Sequence, residues 1–368
     1  MMTLQNQTPF FDTEKADAFA ERLVGTLSEA AFTLMMSLGH RAGLFDTLAL
    51  HPGTTSRQLA DAGGWNERYV REWLAVMVTS RAVDYDPGTK TYTLPAEHAA
   101  FLTRAASPNN IAVTSQFIGL AASVEDDMLD RFRSGEGLHY GHFHRFHEVM
   151  AEDSHQSVVL NLIDGILPIV PGLPDRLARG IDVADVGCGR GRALLKLAET
   201  FPQSAFTGYD LCGEAFAVTQ IEALEKGIDN LRFEALDLSR AESLGRFDLI
   251  FAFDAVHDQK DPQGLLDTVR RSLASDGVFL MQDIDGSRDL EKNIGNPFAP
   301  LLFTISSMHC TPISIGQGGP GLGTMWGVET AQEFLAAAGF GPVETHRLPH
   351  DPVNAYYVAH PQDTRDLQ

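Results

Sequence analysis

The stretch Val183-Ala-Asp-Val-Gly-Cys-Gly-Arg-Gly191 decides the fold of this chain of 368 residues. An apolar run ends in three glycines spaced two apart, and Arg192-Ala-Leu-Leu-Lys-Leu-Ala-Glu-Thr200 then has the apolar spacing of a helix. Glycine suits a loop whose backbone turns tightly and lies against a ligand. A second apolar run closes at Asp210, 23 residues after Gly187. A strand, a glycine loop, a helix and an acidic strand end form the unit that holds an adenosine by its ribose hydroxyls.

The glycine spacing separates two classes of cofactor. A dinucleotide site would read G-x-G-x-x-G and place a helix N-terminus against a pyrophosphate. Here the spacing is G-x-G-x-G (Gly187, Gly189 and Gly191), and Asp185 precedes it. A carboxylate repels a pyrophosphate and attracts an ammonium group. The pattern resembles the first motif of class I methyltransferases, and the resemblance implies that these four residues and Asp210 hold S-adenosylmethionine.

Later segments follow the order of the same family. A helix predicted over 213–226 leads to a short strand over 231–238, and 247–257 is a continuous apolar run, as expected for a strand buried on both faces. The sequence LASDGVFLMQD, which ends at Asp283, resembles the family's fifth strand with its acidic end. In these enzymes the acidic residue that matches Asp237 hydrogen-bonds the adenine amino group. The same resemblance extends the cofactor site to further residues, which are Leu211, Leu238 and Phe253.

We therefore predict an α/β protein in which a mainly helical winged-helix domain precedes a doubly wound, seven-stranded, mostly parallel sheet of the Rossmann-like methyltransferase type. The length of the chain favours more than one domain. The predicted divisions are a winged-helix dimerisation domain over 1–105, a helical connector that forms part of the pocket over 106–165, and an S-adenosylmethionine-binding domain over 166–361. The last strand, 353–359, is predicted to be antiparallel to the others.

The N-terminal third reads as helix, helix and hairpin, with the hairpin turn at Asp86-Pro-Gly88. A DNA-binding module should be basic, but residues 1–100 carry eight Lys and Arg against twelve Asp and Glu, and the whole chain has a net charge of −21. We therefore predict a structural module and no nucleic-acid partner. The chain resembles winged-helix O-methyltransferases of small molecules over about residues 25 to 360. In that family the domain dimerises and walls the substrate pocket, so the resemblance implies a homodimer.

Three features bear on the compartment. No run of the sequence approaches the ~20 apolar residues of a membrane helix. Met1–Gln7 lacks a basic segment followed by an apolar one, so no secretory signal is predicted. The three cysteines (Cys188, Cys212 and Cys310) form no pairing framework, which favours a reducing environment. We expect a cytoplasmic protein without a membrane partner.

A base is needed if the methyl acceptor is a hydroxyl, because the oxygen must lose its proton. His257 lies just beyond the predicted fourth strand, at the edge where open parallel sheets bind ligands. In the O-methyltransferases that this chain resembles, the matching segment reads His-Asp-Trp and its histidine is the general base. Gln259 replaces the tryptophan here. The acidic residue that orients this histidine cannot be assigned from the sequence, although Glu329 lies in the matching region. The alternative is that His257 only packs at the strand end.

A segment rich in histidine, Gly137-Leu-His-Tyr-Gly-His-Phe-His-Arg-Phe-His147, precedes the first strand of the sheet. Its density of imidazoles suggests a metal site, but the spacing matches no closed site, and we expect no metal. Related methyltransferases have an aromatic-rich entry at this place, over the cofactor. On that resemblance we assign Tyr140 to the cofactor and Phe143, His142 and His144 to the substrate. Exposed helix surface is the alternative.

The segment 285–327 is too long for a simple connection between a strand and a helix and is predicted to be functional. Its first part is apolar enough for a helix over the pocket, and its glycine-rich part, 316–323, reads as a lid or a tight loop. Candidate substrate contacts in this insertion are Met308, His309 and Trp326.

Three functions remain open on the sequence. The first is methyl transfer to a small molecule, at oxygen with His257 as base, or at nitrogen or sulfur by proximity alone. The second is a ligand-binding transcriptional regulator built on the methyltransferase fold, which the acidic composition disfavours. The third is a nicotinamide-dependent oxidoreductase, which would bind NADH and ignore S-adenosylhomocysteine. No linear motif identifies the acceptor.

Overall fold

The computed structural model describes residues 11–362, which form two compact units that divide between Gly119 and Leu120. The sequence predicted divisions after residues 105 and 165 instead. The division at Gly119 and Leu120 falls within the predicted connector over 106–165. Met1–Gln7, the segment without a predicted secretory signal, lies outside the described residues.

The first unit is helical and carries one small hairpin. Its helices are α1 Thr13–Ala42, α2 Leu44–Leu50, α3 Ser56–Gly63, α4 Glu67–Thr79, α5 Ala96–Leu102, α6 Ile111–Thr114 and α7 Gln116–Ala122, the last of which contains the division. The strands β1 Asp84–Asp86 and β2 Thr91–Thr93 pair antiparallel, as the hairpin prediction requires.

Local signals define the helix–turn–helix part of this unit. The Thr55 hydroxyl accepts from the backbone of Gln58, whose side chain accepts in return from the backbone N–H of Thr55. Such reciprocal bonds satisfy donors that a helix start leaves free. The indole of Trp73 packs against Phe45 and donates to the carbonyl of Met35 on α1 at 3.0 Å. Burial of these apolar side chains holds α1, α2 and α4 together.

The second unit is built on a seven-stranded sheet, which confirms the predicted fold class. Its strands are β3 Asp182–Val186, β4 Ala205–Asp210, β5 Leu231–Ala235, β6 Phe247–Phe253, β7 Leu273–Ile284, β8 Glu344–His346 and β9 Asn354–Ala359. The order across the sheet is β5-β4-β3-β6-β7-β9-β8. All pairs among β3 to β7 are parallel, whereas β9 runs antiparallel to β7, as predicted for the last strand.

Helices cover both faces of this sheet. They are α8 Glu125–Ser134, α9 Phe146–Ser154, α10 Leu173–Arg179, α11 Arg192–Thr200, α12 Gly213–Glu225, α13 Pro262–Ser272, α14 Ala299–Ile305, α15 Thr311–Gly316 and α16 Val328–Ala337. Two apolar layers result, one on each face, and β6 contributes to both because its alternate residues point in opposite directions. This double burial explains why the β6 sequence is continuously apolar.

The insertion forms a helical stretch, as predicted for its first part. A π-helical turn over Ser306–Cys310 joins α14 to α15, and a glycine-rich loop follows. A π-helical turn, in which backbone hydrogen bonds join residues five apart, is often found at functional sites. Between residues 11 and 362, every helix is either too short or too polar to cross a bilayer.

Candidate active site

The glycine loop follows β3 and has the backbone of a ligand-binding turn. Gly187, Gly189 and Gly191 have φ angles of +77°, +53° and +66°, which other residues rarely adopt. A Cβ on Gly187 would lie 2.5 Å from the Cβ of Ala255, whereas a Cβ on Gly189 would meet no atom within 4 Å. The first glycine therefore permits close packing of β3 against the end of β6, and the second leaves the loop open towards a ligand.

Asp210 ties this loop to the end of β4. One carboxylate oxygen accepts from the N–H of Gly189 and the other from the N–H of Cys212, both at 2.8 Å. Burial raises the pKa of Asp210, although these two bonds oppose the increase. Each oxygen can accept a further bond. A carboxylate fixed in this way suits a pair of ribose hydroxyls.

Two cavities meet at Asp210 and Tyr140, which line both of them. The first continues past Gly187 to Leu211, Asp237 and Leu238. The second continues to a different set of residues, which includes Asp185, Gly189, Gly191, Arg190, His147, Phe253 and Asp254. All ten residues that the sequence assigned to the cofactor line one or both of these cavities.

Asp185 places a buried carboxyl group in the wall of the second cavity. Its side chain is 3% exposed, and no other group between residues 11 and 362 hydrogen-bonds its Oδ1. Burial, with Asp210 adding to it, raises the pKa of Asp185 to about 8. A buried carboxyl oxygen without a partner is costly, and a cationic or hydrogen-bonding ligand would satisfy it.

Tyr140 closes the cleft between the two cavities. Its hydroxyl donates to Oδ2 of Asp258 at 3.0 Å, and burial raises the pKa of Tyr140 well above its ordinary value. Its ring stacks on His147 at 5.6 Å between centroids. His147 was missed in the sequence, where it closes a run of histidines and resembles its neighbours. Its place in the wall of the second cavity distinguishes it. Burial lowers the pKa of His147, and Asp210 and Glu214 oppose this decrease.

His257 lies in a hydrogen-bonded dyad with Asp283. Its Nδ1 is 2.9 Å from Oδ1 of Asp283, and both side chains are buried. Because a carboxylate only accepts, Nδ1 carries a proton, and once the ring is neutral its lone pair lies on Nε2. Burial lowers the pKa of His257, but Asp283 and a hydrogen bond with Cys310 outweigh burial and raise this pKa well above its ordinary value.

Asp283 is itself held by two further donors. The indole of Trp326 and the backbone N–H of Ile284 each donate to its Oδ1 at 2.9 Å. The carboxylate is therefore fixed in the orientation that holds the imidazole. The sequence predicted that this strand ends in an acidic residue, Asp283. It did not predict that Asp283 contacts His257. In contrast, Glu329 accepts from Ser287 at 2.8 Å and pairs with Lys292, so Glu329 orients the following loop and not His257.

The predicted substrate residues lie elsewhere in the second unit, and none of the six lines either cavity. The indole N–H of Trp326, predicted as a substrate contact, donates to Asp283. Phe143 and His309 pack edge to face at 4.6 Å, and His309 stacks on Phe146 at 3.8 Å, so this part is an aromatic cluster. Met308 packs against the same cluster.

The two remaining predicted substrate residues lie in the histidine-rich segment. His142 bonds the backbone of His139 in a short turn, and His144 is exposed. Neither arrangement places an imidazole towards the cofactor cavities. Phe146 and His147, from the same segment, line the second cavity instead. This difference arises because α9 begins at Phe146 and turns the side chains of Phe146 and His147 towards the second cavity.

Three buried ligand atoms, from Asp254, His257 and Asp283, lie within 4.8 Å of one another, as a metal site would require. The nitrogen in this group, Nδ1 of His257, already bonds Asp283. The N–H donors that converge on Asp283 suit a carboxylate that orients an imidazole. Two of the three ligand atoms in this group, Nδ1 of His257 and Oδ1 of Asp283, therefore already bond each other.

Two family models match the chain. Residues 30–104 match an Rv2258c-like winged HTH domain, and residues 177–312 match a methyltransferase domain. The chain therefore carries a winged helix–turn–helix domain followed by a class I methyltransferase domain, the class of fold whose methyl donor is S-adenosylmethionine.

Similar proteins extend this likeness over the whole chain or part of it. Human N-acetylserotonin methyltransferase, solved with S-adenosylmethionine, has a TM-score of 0.68 at 16% identity, and the match covers 99% of this chain and 100% of that one. The mitomycin 7-O-methyltransferase structure has a TM-score of 0.66 at 16% identity and covers 95% and 100%. (S)-coclaurine N-methyltransferase of Papaver somniferum is 29% identical over 28% of this chain and 30% of its own length. The match spans between 30% and 40% of the first curated relatives.

Proposed function

We propose that this protein transfers the methyl group of S-adenosylmethionine to a hydroxyl of a small molecule, with His257 as the general base. The observation that carries the proposal is the buried dyad of His257 and Asp283, 2.9 Å apart. The dyad lies at the same sheet edge as the glycine loop, because the parallel strands β3, β6 and β7 end there.

The residues around the two cavities suit this cofactor. Asp210 would hold the ribose hydroxyls, and Asp185 would pair with the ammonium group of the methionine part. The first cavity would take the adenine, with Asp237 beside it and Leu211 and Leu238 as apolar walls. Arg190 lines the second cavity and would pair with the carboxylate of the methionine part of the cofactor. The unpartnered oxygen of Asp185 supports this fit, because the ligand would satisfy it.

When bound, S-adenosylmethionine supplies a methyl group on a sulfonium, which an aligned nucleophile displaces in line. Nε2 of His257 would accept the proton of the acceptor hydroxyl. Asp283 would stabilise the resulting imidazolium, and Trp326 would keep Asp283 in place through its 2.9 Å bond. Thus the chain contributes alignment, a base and a counter-charge for that base.

The experiment that tests this function is methyl incorporation from labelled S-adenosylmethionine into a panel of small phenols, amines and thiols. We expect label in the methyl ethers of hydroxyl acceptors. Label in amines or thiols alone would overturn the hydroxyl assignment. Fluorescence titration provides the control: S-adenosylhomocysteine should bind and NADH should not, and the reverse pattern would instead identify an oxidoreductase.

The N-terminal domain would serve as a dimerisation surface and not as a DNA reader. One side of α1 carries exposed apolar side chains at spacings of four and seven residues, which are Phe19, Leu23, Leu27, Leu34 and Leu38. Such spacing aligns them in one stripe. A stripe about 28 Å long, at 1.5 Å per residue, is long enough for a helix–helix contact. A second copy of the chain would cover it.

Replacing Leu23 and Leu27 together by glutamate is expected to shift the protein from dimer to monomer. Burying one leucine contributes about 1.5–3 kcal/mol, so the double change should weaken association by at least about a hundredfold. Sedimentation velocity over a concentration series measures the shift. Ser28→Glu, an exposed change on the other side of α1, is the matched control. A wild-type protein that stays monomeric at high concentration would contradict the proposal.

A further inference from the structure

We propose that Asp254 recognises the positive charge at the reacting centre of the methyl donor, so that the protein holds the cationic donor more tightly than its neutral product. This inference rests on the proposed function, since it assigns a role within the same cofactor site. It concerns a binding preference and not the base.

The backbone at Asp254 is held in an unusual conformation. Asp254 follows directly on Phe253, the last residue of β6, and has a φ angle of +54°. Its N–H donates to the carbonyl of Gln282 on β7 at 2.9 Å, so sheet pairing holds the residue in place. A non-glycine residue in the left-handed region costs energy and occurs mainly at functional sites. Here the conformation belongs to a residue that lines the second cavity.

The side chain of Asp254 is a carboxylate without sufficient partners. Its Oδ1 is buried, and no group between residues 11 and 362 donates a hydrogen bond to it. Nδ1 of His257 lies 3.8 Å from this oxygen, and that nitrogen already bonds Asp283 at 2.9 Å. Burial raises the pKa of Asp254 to about 7, which His257 opposes and Asp283 reinforces. A cation in the cavity would satisfy this carboxylate.

Two residues that line the cavity, Asp185 and Asp254, therefore each have one carboxylate oxygen without a hydrogen-bond partner. S-adenosylmethionine has two positive centres, the ammonium and the sulfonium. The neighbours of each carboxylate indicate which centre it would meet. Asp254 lies beside the proposed base, because its Oδ1 is 3.8 Å from Nδ1 of His257, whereas no such contact joins Asp185 to the dyad among the described residues. Because the sulfonium must lie beside the base that activates the acceptor, Asp254 is the carboxylate assigned to the sulfonium.

After methyl transfer the sulfonium becomes a neutral thioether, while the ammonium, the ribose and the adenine are unchanged. Asp254 would then lose its counter-charge in a buried position, where an unpaired charge is costly. The product is held less tightly for that reason alone. Asp185, by contrast, keeps its partner in both states. Substitutions of the two carboxylates are therefore expected to have different effects on the binding of the methyl donor and of its product.

The test compares the dissociation constants of S-adenosylhomocysteine and sinefungin, measured by calorimetry. Sinefungin carries an amine in place of the methylated sulfonium and so keeps a positive charge there. In Asp254→Asn the preference for sinefungin should fall by on the order of tenfold, mainly through weaker sinefungin binding. Asparagine has the same shape and tolerates a positive φ, so the backbone should be preserved. In Asp185→Asn both ligands should weaken together, and their ratio should stay unchanged.

The outcomes separate this inference from the proposed function. If neither ligand binds the wild-type protein, the proposed function fails. If both bind and Asp254→Asn leaves their ratio as in the wild type, only the role of Asp254 is overturned. A fall in the ratio in both variants would also overturn it, because the charge would then be read by the whole cavity. Thermal melting of each variant without ligand verifies that it is folded.

Discussion

Replacing His257 with alanine is expected to lower kcat for a hydroxyl acceptor by about a thousandfold, within the range of general base catalysis. S-adenosylhomocysteine should bind within a few-fold of the wild-type affinity, because His257 lines neither of the two cavities. Single-turnover methyl transfer measures the first effect and calorimetry the second. Unchanged turnover with intact binding would show that the acceptor needs no base, as for an amine or a thiol.

Asp283→Asn tests whether His257 acts through its partner. The asparagine keeps the shape but removes the charge that raises the pKa of His257. Since only the neutral imidazole accepts a proton, the rate should rise with pH through the range above the ordinary histidine pKa, and this rise should move to lower pH in Asp283→Asn. The double variant with His257→Ala should lose no more than His257→Ala alone, because the two side chains work as a unit. A pH profile that does not move would leave Asp283 a purely structural role.

The sequence was sufficient to predict the sheet and the cofactor end of the site because both depend on local patterns. The loop that follows β3 needs positive φ angles, which glycine adopts at Gly187, Gly189 and Gly191. Asp210 follows at a distance that is set by one helix and one strand. Parallel strand order then brings these ends to one edge. The positions of these residues in the fold could therefore be predicted from the sequence.

The partners of His257 could not be identified in the same way, since they come from distant parts of the chain. Asp283 lies 26 residues away, and the indole that fixes it lies 43 residues beyond that. Their contact depends on the path that the insertion takes back to the sheet. The spacing of residues in the sequence does not predict this path. Glu329 had the right chemistry and the right region, but its helix directs it to Ser287. Similarly, the sequence alone does not distinguish His147 from His142 and His144. The difference between them is that His147 lies in α9, which begins at Phe146.

Asp185→Asn is expected to stabilise the protein without ligand and to abolish tight cofactor binding. Burial raises the pKa of Asp185 from an ordinary value near 3.8 to about 8 in the folded state. Between these values the folded state keeps a proton that the unfolded state releases, so wild-type stability falls as pH rises through this window. Asparagine has no charge to bury. The variant should therefore gain nothing near pH 4 and about 5 kcal/mol near pH 8 relative to wild type, a rise in Tm of roughly 5–10 °C.

The same substitution removes the proposed partner of the cofactor ammonium. Losing one side of a buried charge pair costs about 2–5 kcal/mol, so S-adenosylmethionine should bind at least about thirtyfold more weakly and should no longer raise Tm. Differential scanning calorimetry from pH 5 to 8, with and without ligand, measures both effects. Asp182→Asn, at the exposed start of the same strand, is the matched control and should change neither. A variant that melts at the wild-type temperature at every pH would mean that the carboxyl of Asp185 is satisfied without the cofactor. Opposite signs in stability and binding would instead indicate that the fold maintains an unfavourable buried carboxyl at Asp185 because the cofactor requires it.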